Sequence, residues 1–222
     1  MTYVRRAPLL MRVPPIQYVS AATTAPGLTA IAKPSGLEVG SLVLVWAHGF
    51  TGASPTLDTA SGSAWTVVDN DNSVTLAGRL VLFAKVLTAT DVANAWNLSE
   101  SAAEGAVSLN YLGNGATTVT AKNSHTTGSN LDFNVSVTGF TKAAGVRGVL
   151  GFAISTTQST AIGVPSGFTE RSQVALNSTI KVSLSDNILG YVNGATATWM
   201  NFNTPAADPQ TGRGLLVEVT GP

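Results

Sequence analysis

The chain has 222 residues, 44% of them apolar and 11% charged, with twelve basic and twelve acidic side chains. That is enough apolar sequence for one sizeable core, while a neutral, charge-poor surface sets up no field to draw in DNA, RNA or an anionic membrane. The lack of any cysteine excludes disulfides, thiolate metal sites and a cysteine nucleophile.

Residues 1–15 stand apart. They carry Arg5, Arg6 and Arg12 and no acid, and Pro8, Pro14 and Pro15 break any regular helix or central strand. The segment reads as an extended docking arm. Tyr3, Arg5, Arg6 and Arg12 are its candidate partner contacts, since a guanidinium can bond carboxylates or carbonyls bidentately. It has neither the apolar run nor the small-residue cleavage site of a secretory leader. The longest apolar run, Leu42 to Ala47, is far below the ~20 residues of a membrane helix. The expectation is a protein made in a cytoplasm, without an export route of its own.

From Ile16 onward the pattern is strands. Ser41–Ala47 and Leu80–Ala84 are short continuous apolar runs bounded by turn formers, which predicts buried central strands. Asp69-Asn-Asp-Asn72 reads as a hairpin tip. Thr88–Ala95 is the one helix candidate, with Thr90 as a cap for about one turn. Leu131–Thr138 and Ile180–Ser185 alternate apolar and polar, predicting one buried and one solvated face.

The second half repeats the first. Leu42–Ala47, Ala64–Val68, Arg79–Phe83, Ala95–Leu98 and Gly105–Leu109 are echoed in order by Val149–Ala153, Gly167–Arg171, Ile180–Leu184, Thr198–Asn201 and Gly214–Val219. Two copies are too few for a solenoid. The pattern predicts an all-β protein: a single antiparallel, jelly-roll-like β-sandwich over residues 16–222 with pseudo-symmetric halves. The alternative is two tandem immunoglobulin-like domains. No Pro/Gly/Ser-rich linker separates the copies, which favours the single domain.

The order KPSGLEVGSLVLVWA, AWTVV, GRLVLFAKVLTATDVANAWNLS, GAVSLNYLG and PSGFTERSQ, across about residues 28–220, resembles a β-sandwich module of phage and prophage virion proteins. It departs from that module at Ser63-Ala-Trp65, where Pro-x-Gly-Trp is common. The resemblance implies a structural role, in a capsid decoration, a head or tail appendage or a fibre alike.

No catalytic set offsets this. His48 and His125 lie in different regions, and there is no Gly-x-Ser-x-Gly elbow. His48 follows a buried strand and is read as a packing or turn residue; His125 sits in Lys122–Gly128, read as a polar loop, and is expected to be solvated. Asp69–Asn72 begins like a calcium loop but has Val74 and Leu80 where the turn glycine and final acid belong. Glu100 and Glu104 are four apart with no helix to align them. Trp46, Trp65, Trp96 and Trp199 could build a sugar-stacking platform, but their apolar neighbours point to the core.

The expected function is a non-enzymatic virion subunit with no cofactor and no metal: a capsid decoration, cement or head-appendage protein docking through its arm. Its expected partners are the major capsid or tail protein and further copies of itself, with a trimer as the first guess, and neither nucleic acid nor membrane. The alternative is a tail-fibre or receptor-binding module recognising host carbohydrate.

Overall fold

The computed structural model describes residues 15–51, 55–60, 62–71, 78–113, 118–130, 134–155, 162–176, 180–188, 190–201 and 210–221. Among them are sixteen strands and one short helix. The first eight strands are β1 (Gln17–Thr24), β2 (Leu28–Ala30), β3 (Ser41–Phe50), β4 (Leu57–Thr59), β5 (Thr66–Asp71), β6 (Arg79–Val86), β7 (Trp96–Ala102) and β8 (Gly105–Leu112). The other eight are β9 (Thr118–Asn130), β10 (Asn134–Val137), β11 (Val146–Ser155), β12 (Ile162–Gly163), β13 (Thr169–Ala175), β14 (Lys181–Asn187), β15 (Ala197–Asn201) and β16 (Gln210–Thr220). Helix α1 (Ala89–Ala93) lies between β6 and β7.

The two halves have one topology. The first forms a large sheet β1-β8-β3-β6-β5 and a small sheet β2-β7-β4; the second forms β9-β16-β11-β14-β13 and β10-β15-β12. Adding eight to each strand number turns one half into the other. Every pairing is antiparallel, and the order is that of a jelly roll. All five segment pairs of the sequence repeat fall on equivalent strands.

The sandwich with pseudo-symmetric halves is present, with a further level inside it. Each half is itself two sheets, and the halves stack through their large sheets, giving four layers. The largest core cluster lies between the large sheets and draws on both halves, with Leu44, Trp46, Leu82 and Tyr111 against Leu150, Phe152, Leu184 and Val217. Outer cores fill the space between each large sheet and its small partner, around Trp96 in one half and Trp199 in the other. The biggest core is shared, so the halves are not tandem immunoglobulin-like domains.

Register makes the symmetry explicit. Trp46 stands opposite Leu82 and Val107, and Phe152 stands opposite Leu184 and Leu215, so these are equivalent triplets. Trp46 and Phe152 meet edge to face at 5.3 Å. Contact between equivalent residues is what a twofold axis requires. Likewise β1 lies against β13 and β5 against β9, so the axis runs between the large sheets along the strand direction.

Four layers explain a departure from the sequence pattern. Ile180–Ser185 alternates as if one face met water, yet β14 is buried at every position from Val182 to Asn187. A strand central to a middle layer has a core on each face. Ser183 and Ser185 turn towards the outer core, and Ser185 donates to the Gly151 carbonyl at 3.3 Å. Asp69–Asp71 ends β5 rather than forming a hairpin tip. The helix is capped by Thr88, not Thr90: the Thr88 and Asp91 side chains each bond the other's backbone in a capping box. Of Leu131–Thr138, residues 134–137 form β10 with Val135 and Val137 buried. At the β7–β8 turn Gly105 has φ +102°, and a Cβ there would lie 2.7 Å from the Thr24 carbonyl oxygen. Only glycine fits.

Candidate functional site

The arm residues Tyr3, Arg5, Arg6 and Arg12 lie outside the described residues. The segment directly after the arm is firmly held. Ile16 is buried in the central core, its backbone N–H donates to the Arg147 carbonyl at 3.4 Å, and its side chain occupies the space left by Gly148. β1 and β9 begin at this end of the molecule, and β8 and β16 finish there. Gly221 packs beside Arg147, so both ends of the described chain converge here.

Two ion-pair clusters join the halves across the central interface. On one side Arg171 grips Asp186 with two bonds, Nε to Oδ2 at 2.7 Å and Nη2 to Oδ1 at 3.0 Å. The fully buried Tyr111 donates to Asp186 at 3.2 Å, and Tyr18 donates to the Arg171 carbonyl at 3.1 Å and lies under its guanidinium. Burial, and then the Asp186 carboxylate, push the Tyr111 phenol well above its ordinary range, so it stays a donor. Its bond to Asp186 raises Arg171 further. On the other side Arg213 binds Asp69 at 2.8 Å and also Asp71. Burial raises Asp69 and lowers Arg213, and the attraction between them opposes both shifts. The acids of the calcium-like stretch are thus engaged by an arginine. Among the described residues no three His, Asp or Glu side chains gather to hold a metal.

A third polar centre surrounds α1. Lys85 reaches the fully buried Asp91 at 2.5 Å and also bonds the Ser63 carbonyl. Thr88 adds backbone and hydroxyl bonds to the same carboxylate at 2.9 and 2.7 Å. Burial alone would raise Asp91, but the bonds from Lys85, Thr88 and Thr59 outweigh it and hold the carboxyl at about 2. Lys33, lowered by burial, follows β2, the neighbour of β7 in the small sheet, and caps the helix by donating to the carbonyls of Asp91, Val92 and Asn94. Trp96 donates to the Asp91 carbonyl at 2.8 Å and packs edge-on against Trp65 at 5.0 Å.

Beside this centre, between β6 and the start of β9, lies a half-open cleft of about 320 Å³. Leu42, Ala84, Val86 and Val119 are its apolar lining; Ser63, Thr66, Thr118 and Lys85 line it too, as does Thr88, whose hydroxyl is engaged by Asp91. The volume is at the small end of those that hold ligands.

The other sequence candidates fall elsewhere. His48 is buried inside β3, opposite Leu80 and Gly105, as its packing role predicted. His125 is in a strand and not a loop: it pairs with Gly214 through the backbone of β9, which runs through Lys122–Gly128, and its side chain lies outside the described residues. Glu100 and Glu104 sit on the β7–β8 hairpin. Trp46, Trp65, Trp96 and Trp199 are all in the core, none more than 5% exposed. The inter-half clusters were not read from sequence, since their partners are 75 to 153 residues apart; the Thr88-x-x-Asp91 box was there to be found.

No family model, curated protein or solved structure matches the chain.

Proposed function

We propose that the chain is a non-enzymatic structural subunit of a phage-type virion, a capsid decoration or head appendage that docks through residues 1–15. The observation that carries this reading is the convergence of Ile16 and Gly221 beside Arg147. A docked arm would then hold a stiff body by one end and present the opposite end, where β3, β5, β11 and β13 finish. Stiffness supports the same role: the halves share a core and are bonded on both sides, by Tyr18 and Tyr111 to the Arg171–Asp186 pair and by Arg213 to Asp69. Neutrality and low charge favour life within an assembly, with further copies of the chain and a capsid or tail protein as partners.

Exposed sheet edges do not add to the case. Each of the four strands that edge the large sheets carries a register shift, after Tyr18 in β1, Val67 in β5 and Glu170 in β13, and between Ala121 and Asn123 in β9. Bulges of this kind blunt edges without a neighbour. The four tryptophans offer the alternative, a carbohydrate-binding module, no exposed stacking platform, since all are buried.

The test is to delete residues 1–15 and ask whether the protein still folds and joins its particle. The expected outcome is a folded, soluble body that no longer incorporates. Normal incorporation of the truncated chain overturns the reading.

A further inference from the structure

The cleft has a counterpart across the pseudo-twofold axis, and the counterpart is filled. Counting along the paired strands, Tyr18, Tyr111, Arg171 and Asp186 are equivalent to Val119, Val219, Val68 and Ala84. Arg171 and Val68 are even the bulged residue of their respective strands. Where the second half has Gly148 and Ile188, the first has Leu42 and Val86. On the filled side the residues directly after the arm supply the packing: Ile16 seats against Gly148, and Tyr18 lies across Tyr111 and Arg171. On the other side the replacement of large polar groups by valine and alanine leaves the space open.

The walls specify an occupant. Lys85 is committed to Asp91 and Ser63, so the cleft presents no unspent charge. A lining of Leu42, Ala84, Val86 and Val119 together with Ser63, Thr66 and Thr118 suits a neutral side chain with an apolar body and a hydrogen-bonding tip, such as a phenol. Residues 1–14 hold one, Tyr3, among Val4, Leu9, Leu10, Met11 and Val13. Fourteen extended residues reach roughly 45–50 Å, and the arm leaves the body at the same end as the cleft but on the opposite flank, by β1 and β13. A neighbour that turns its β1–β13 flank towards this molecule's β5–β9 flank offers the short path.

We propose that the cleft receives the N-terminal arm of a second copy of this chain, with Tyr3 seated between Ala84 and Val119. The proposal rests on the arm being a docking element and adds its acceptor. The absence of native cysteine allows a direct test on full-length protein. Tyr3→Cys and Thr66→Cys are made in separate chains, mixed at high concentration and mildly oxidised. Docking gives a disulfide-linked pair in yield at least about tenfold above that of Val192→Cys mixed with Thr66→Cys, which report collision alone. Adding Val119→Tyr to the Thr66→Cys chain restores the side chain that fills the counterpart, and should abolish the excess while leaving the melting transition intact. A yield no higher than the collision pair overturns the proposal. So does a link that forms within a doubly substituted chain and persists on dilution, which would assign the cleft to the chain's own arm. Contact is read in solution, so failure here is distinct from failure of the particle-incorporation test.

Discussion

At the scale of single residues, Asp91 gathers several polar contacts on one side chain. It is fully buried, with Lys85, Thr88 and the α1 backbone all organised around it. Its folded pKa is depressed, so the stabilisation is present above the ordinary value of 3.8 and is lost as pH falls towards about 2. The shift corresponds to about 2 kcal/mol. Denaturant titrations at pH 6, 4 and 2.5 should show this loss, and Asp91→Asn should flatten that part of the profile. The same substitution leaves Lys85 buried without its counter-charge and should cost about 3 kcal/mol at neutral pH. Trp96→Ala removes the ring that bonds Asp91 and fills the first outer core, and should cost on the order of 3–5 kcal/mol. An unchanged melting temperature for that variant would contradict the packing described. The four tryptophans were legible in the sequence because each stands in an apolar strand run. Thr88 and Thr90 are both cap-type residues within two positions of each other, and only the acid three residues after Thr88, Asp91, marks Thr88 as the cap and Thr90 as already inside the helix.

At the scale of elements, β5 and β16 hold the halves together on one flank through Arg213 and Asp69, and β1 and β8 do so on the other through tyrosine bonds to the Arg171–Asp186 pair of β13 and β14. Arg213→Ala strands Asp69 and Asp71 at the interface and should cost about 3 kcal/mol. Tyr111→Phe keeps the ring and removes only the bond to Asp186, so about 1 kcal/mol is expected. Chemical denaturation of the two variants should rank them in that order. The repeat in the sequence located the equivalent strands, because strand type and spacing survive in both copies. It could not reveal four layers: the serines of Ile180–Ser185 look solvent-facing until a second sheet is known to cover them. Nor could it reveal the clusters, since Val68 and Arg171, or Ala84 and Asp186, occupy equivalent positions with unrelated chemistry.

At the scale of the whole molecule, the central core belongs to neither half alone. Leu42, Leu44 and Trp46 lose their partners if the second half unfolds, and Leu150, Phe152 and Ile154 lose theirs if the first does. Calorimetry should therefore show one transition whose van't Hoff and calorimetric enthalpies agree. Two separable transitions would mean that the outer cores suffice for each half. The pseudo-twofold interface also differs from that of a true dimer in a way that bears on function. In a homodimer the contact weakens on dilution and each substitution appears twice, once on either side of the axis. Here both copies are held in one chain, so the contact is intramolecular and independent of concentration. Each flank is also free to change without the other. In a symmetric pair each feature of one flank recurs on the other; here the flank with Tyr18, Tyr111, Arg171 and Asp186 is packed solid, the equivalent places opposite hold Val119, Val219, Val68 and Ala84, and the molecule has a left side and a right side to present to its neighbours.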